Sequence, residues 1–147
     1  MSQDQADAAD PLRDRLERAA GGLVYSSEGD HPFEYFVVCA PHGGAGAMPA
    51  ARLASLVAGE VEGDRVEERT LDHFFARHIE TSDPYDTRAQ AIRPRYEALK
   101  TALRQSLRDV RVVRVTRAAD RAIVRCFIAG FDERGRVAGL ATSAIET

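Results

Sequence analysis

The sequence predicts a single α/β domain in which helices cover both faces of a mainly antiparallel sheet. Three observations carry that reading. Helical and strand-like segments do not alternate regularly, which argues against a parallel βαβ sheet. Three strand-like runs, DVRVVRVTR, RAIVRCFIAGF and RVAGLATSAIE, follow one another across links short enough for antiparallel hairpins. The 147 residues, 44% hydrophobic and 29% charged, match a soluble globular domain large enough to fold without a metal or disulfide staple.

Residues 1–9 read as a disordered polar lead, and residues 10–147 as the domain. Asp10 is placed to cap a helix that opens on Pro11, carries Leu12, Leu16, Ala19 and Ala20 as its apolar stripe, and stops at Gly21-Gly22. A polar excursion, Ser26 to Pro32, then precedes a strand from about Phe33 to Ala40; being apolar on both faces, it is expected to be central. The glycine loop HGGAGAMP, residues 42–49, lacks the third glycine of a dinucleotide fingerprint and any following G-K-[ST], so it is read as a surface loop. A short helix with Leu53, Leu56 and Val57 follows, then a short strand at 65–69 and a Thr70-capped helix with Leu71, Phe74, Phe75 and Ile79. The longest helix spans about Thr87 to Arg108, with Ile92, Tyr96, Leu99, Leu103 and Leu107 on one face. Pro94 lies inside it, so the helix either kinks there or becomes regular only from that point.

The polar, acidic N-terminus has neither a basic nor an apolar leader region, and no apolar run reaches the ~20 residues of a membrane helix, so a cytoplasmic location is expected. Cys39 and Cys126 both sit in apolar strand-like runs and are expected to be buried, inert thiols. The net charge of −3 conceals a split. Residues 1–86 hold 7 arginines against 17 carboxylates, and residues 88–125 hold 11 cations against 3 carboxylates. Partners of either sign are therefore conceivable.

Several motifs, taken in order, identify a relative. They are YSSEGDHPFEYF at 25–36, LDHFF at 71–75, LKTALRQSL in the long helix, VRVVRV, and the closing AGLATSAIET. Together they resemble the nuclease A inhibitor-like family from about Leu12 to Thr147. The resemblance implies an α/β/α sandwich and a protein that binds and blocks a sugar-nonspecific, metal-dependent DNA/RNA endonuclease. It also implies that the Ser-Glu glutamate and the C-terminal threonine carboxylate approach the nuclease's metal. Those positions are Glu28 and Thr147 here, with Glu146 adjacent. Where nuclease-binding members can carry a tryptophan after the FF helix, this chain has no Trp and offers Pro84 and Tyr85.

A nuclease indifferent to sequence reads backbone phosphate, so carboxylates placed where phosphate oxygens would sit can compete for its cationic cleft. A terminus held by a strand would deliver its carboxylate with little ordering cost. Glu28, Asp30, Tyr85, Glu146 and Thr147 are the candidate partner-binding residues. Glu28 is open to a second role as a turn residue, and Tyr85 to one in the core. Glu60, Glu62, Asp64, Glu67 and Glu68 read either as steering charges or as a solvated acidic face. The alternative function is a nucleic-acid-binding module using the basic 88–125 segment. Against it, Glu97 interrupts the helical basic stripe, and Arg111 and Arg114 have opposite strand parity. Catalysis has no supporting motif. His73 and His78 are about 140° apart around a helix, unlike a zinc pair, so no metal site of its own and no cofactor are expected. The four histidines read as surface or capping residues, and a monomer is expected.

Overall fold

The computed structural model describes residues 10–39, 48–59, 63–80 and 83–146. In chain order these form α1 (Pro11–Ala20), β1 (Val24–Ser26), β2 (Asp30–Pro32), β3 (Glu34–Val38), α2 (Ala50–Ala58), β4 (Arg65–Arg69), α3 (Leu71–Ile79), α4 (Thr87–Ser106), β5 (Arg108–Arg117), β6 (Asp120–Phe131) and β7 (Val137–Ile145).

Local capping chemistry sets the helix starts. The Asp10 carboxylate accepts from the Leu12 and Arg13 amides at 3.1 and 3.3 Å, satisfying donors that the first turn leaves open. Its other oxygen takes the Tyr35 hydroxyl at 3.1 Å, which ties α1 to β3. Thr70 accepts from His73 N and Asp86 from Ala89 N in the same way. Helix α4 runs from Thr87 to Ser106 as one α-helix, with Pro94 on its exposed side.

The five-stranded sheet has the order β3-β7-β6-β5-β4, with every neighbouring pair antiparallel. Side-chain alternation gives it two cores. On one face α1, α3 and α4 bring Leu16, Phe75, Leu99 and Leu103 onto Val112, Ile128 and Leu140. On the other, α2 lays Leu53 and Ala54 against Val113, Val115 and Phe127. The predicted α/β/α layering is present, and the interior strand β7 is buried through all but its last residue. At Gly139 the backbones of β6 and β7 come so close that a Cβ would lie 1.7 Å from the Ile128 carbonyl oxygen. The glycine of the AGL motif is thus a packing requirement.

Three expectations are corrected. The strand after Pro32 spans Glu34–Val38 and is an edge strand; among the described residues it pairs with β7 alone. It is apolar on both faces because each face meets a core, Tyr35 on one and Phe36 and Val38 on the other. The polar excursion is itself structured, as the separate two-stranded hairpin β1–β2 with Tyr25 opposite His31. Cys39, just past the end of β3, is exposed, whereas Cys126 is buried and its thiol is pushed up to about 11 by burial. The HGGAGA part of the glycine loop lies outside the described residues.

Candidate functional site

The β1–β2 hairpin is not a continuation of the main sheet, and two isolated three-residue strands are not stable by themselves. Surrounding elements hold it from two sides. From the helical side, the Tyr96 hydroxyl donates to Val24 O at 2.5 Å, and the Tyr25 ring stacks on Phe74 with centroids 4.3 Å apart. The Arg77 guanidinium lies 4.8 Å above the Tyr25 ring and donates to the Ser26 carbonyl.

His78, one residue along, accepts the Ser26 amide on Nε2 at 3.3 Å. Its ring stacks flat on Tyr96, 4.1 Å between centroids. Burial, reinforced by the neighbouring Arg77 charge, lowers its pKa to about 4, while Asp30 opposes the shift. The imidazole is therefore neutral at pH 7, and accepting on Nε2 leaves its proton on Nδ1.

From the sheet side, β3 covers the outer edge of β7 only from Val137 to Ala141. Beyond it the hairpin turn takes over. The Ser27 hydroxyl accepts the Ile145 amide at 2.9 Å, and the Glu28 amide donates to the Ile145 carbonyl at 3.4 Å. Thr142 Oγ1 donates to His31 O at 3.2 Å. Within the turn, the Ser27 amide and hydroxyl both donate to Gly29 O, at 3.0 and 3.1 Å. Glu28 is thus an exposed side chain at the tip of a braced turn beside the end of β7. Asp30, across from Ser26, is exposed on the same hairpin.

Glu146 continues β7, donating its amide to Ala122 O at 2.8 Å, and its exposed carboxylate is ion-paired with Arg114. Thr147 lies outside the described residues. Tyr85 is 91% exposed, so the reading of it as a core residue is set aside. Its loop is ordered by Asp83, which accepts the Tyr85 amide on Oδ1 at 2.9 Å and the Asp86 amide and Gln90 side chain on its carbonyl, both at 3.0 Å. The loop follows the end of α3 that holds Ser26 through His78.

The remaining acidic candidates are engaged elsewhere. Asp64 pairs with Arg117, Glu67 with Arg69 at 2.8 Å, and Glu68 with Arg111 at 3.0 Å; Glu60 and Glu62 lie outside the described residues. The same pairing uses up much of the basic segment. Asp72 receives both Lys100 and Arg104, at 2.8 and 2.7 Å, and Glu97 receives Arg93 at 3.2 Å. Arg111 and Arg114 sit on opposite faces of the sheet, as their parity requires, one reaching Met48 O and the other Glu146. Among the described residues no three His, Cys, Asp or Glu side chains converge as metal ligands.

Sequence reasoning missed the residues that brace the hairpin: Arg77, His78, Tyr96 and Ser27. One signal was available for His78, which follows Phe74 by four residues and so shares the inward stripe of α3.

A search of the curated proteins finds no match to this chain. The family model for nuclease A inhibitor-like protein matches residues 10–147, nearly the whole sequence. With the layered fold and the SSEGD turn docked on the closing strand, the match has one consequence: the chain belongs to the nuclease A inhibitor-like family.

Proposed function

We propose that the protein is a stoichiometric inhibitor of a metal-dependent, sugar-nonspecific endonuclease, and that it occludes the nuclease cleft with the Ser26–Asp30 turn, the Asp83–Tyr85 loop and the C-terminus. The observation that carries this reading is the lacing of the Glu28 turn to Ile145. It makes the glutamate and the end of β7 one rigid unit. Divalent metals such as Mg²⁺ take oxygen ligands at about 2.1 Å with little tolerance, so preorganised carboxylates have an advantage over mobile ones. Glu28 and the Thr147 carboxylate are the groups assigned to the metal's surroundings, Tyr85 the apolar anchor and Asp30 a steering charge. The ion pair with Arg114 gives Glu146 a different part, aligning the final residues rather than reaching across.

The nucleic-acid reading is weaker, because Lys100, Arg104, Arg111, Arg114 and Arg117 already neutralise carboxylates within the fold.

The test is to titrate the untagged protein against a panel of such nucleases, then against the same panel with one residue added after Thr147. An extended residue displaces the carboxylate by up to ~3.4 Å, beyond any coordination tolerance. Inhibition should weaken at least about tenfold, or ~1.4 kcal/mol, while the same addition before Met1 changes nothing. Equal potency for both would refute the metal-directed mechanism.

A further inference from the structure

The Ser27 side chain touches both halves of the proposed binding edge. Its hydroxyl donates to Gly29 O at 3.1 Å and accepts the Ile145 amide at 2.9 Å. In the stretch of β7 where β3 no longer supplies a partner, a side-chain oxygen and the next amide stand in for a ladder strand. We infer that Ser27 is a positioning residue, the joint that fixes Glu28 relative to the end of β7, and that its part in inhibition is exerted through that geometry rather than by touching the nuclease.

The inference rests on the inhibitor reading for its functional half only. The geometry explains why serine suits the position. The oxygen has to act as donor and acceptor at once, one substituent from the backbone, and a hydroxyl does both. Alanine would leave the Ile145 amide without this acceptor, while the turn's own Ser27 N to Gly29 O bond, 3.0 Å, would survive. The expected lesion is therefore local, at the end of one strand.

Amide hydrogen exchange of the free, full-length protein tests the joint without any partner. In Ser27→Ala, Ile145 should exchange about tenfold faster, the equivalent of one lost hydrogen bond, with Ile128 in the middle of β6 unchanged. Ser27→Thr, which keeps the hydroxyl, should restore the native rate. An unchanged Ile145 rate, or acceleration of the whole sheet together, overturns the inference. With a nuclease that the native protein inhibits, Ser27→Ala should weaken inhibition about tenfold and Ser27→Thr should not. The loss should shrink when Glu28→Gln is already present, because a positioning residue has less to position. Fully additive losses overturn its assigned role. If the native protein inhibits no nuclease, the functional reading fails, and the exchange result decides the joint independently.

Discussion

At the scale of single residues, backbone proximity and exposure make opposite demands on two motif positions. Gly139 has no room for a side chain, because the Ile128 carbonyl occupies the place of its Cβ. Gly139→Ala must push β6 and β7 apart at the centre of the sheet, and we expect a loss of about 3 kcal/mol or more in urea unfolding. An unchanged midpoint would mean that the strands separate at little cost. Tyr85 is the reverse case. It contributes almost no burial to the fold, so Tyr85→Ala should leave stability within ~0.5 kcal/mol. In the complex it should cost ~2 kcal/mol or more, about thirtyfold in affinity, if the ring is an interface anchor. Retention of full affinity would remove the anchor role. The position of Tyr85 after the FF helix was readable in the sequence, but its side chain's direction was not, since an aromatic suits a core and an interface equally.

At the scale of elements, the β1–β2 hairpin depends on its neighbours, and His78 is the dependence that responds to pH. Its folded-state pKa, about 4, lies below the ordinary 6.5, so the unfolded chain takes up the proton first as pH falls. The stabilisation is complete above about pH 6.5, declines between 6.5 and 4, and has no further to fall below that. After discounting for the ring's partial exposure it amounts to about 1–2 kcal/mol. Urea midpoints at pH 7 and 4.5 should differ less in His78→Gln, which can still accept the Ser26 amide, than in the native chain; equal differences would show that His78 is not the group responsible. Elements governed by local chemistry were legible in the sequence: the Asp10 and Thr70 caps, the stripe of α4, and the short strand at Arg65–Arg69. The place of β3 was not, because an edge strand sandwiched between two cores has the same apolar pattern as a central one. The small hairpin was hidden for a related reason, since polar strands held by neighbouring side chains carry no apolar alternation to betray them.

At the scale of the whole molecule, the charge split seen along the chain is largely neutralised in space. Carboxylates from the acidic segment meet cations from the basic one, as in Asp64–Arg117, Glu68–Arg111 and Asp72 with Lys100 and Arg104. Glu28, Asp30 and Asp83 remain exposed in the hairpin and in the loop after α3. Association with a basic nuclease should accordingly slow as salt rises from 50 to 500 mM, values chosen to shorten the Debye length from roughly 14 to 4 Å, while dissociation changes little. A salt-insensitive association rate would show that these carboxylates do not steer the encounter. The sandwich itself was foreseen from element order and from the family motifs together; neither the strand order nor the bracing of the hairpin follows from periodicity, which reports faces and not neighbours.

The pairing of Glu34 with Ala141 and of Val38 with Val137 gives β3 a partner roughly a hundred residues further along the chain. During synthesis β3 must leave the ribosome long before β7 exists, carrying Tyr35, Phe36 and Val38 with no strand to receive them. For that interval the nascent chain carries an unpaired apolar strand, and closure of the sheet around β7 is the step that ends the exposure.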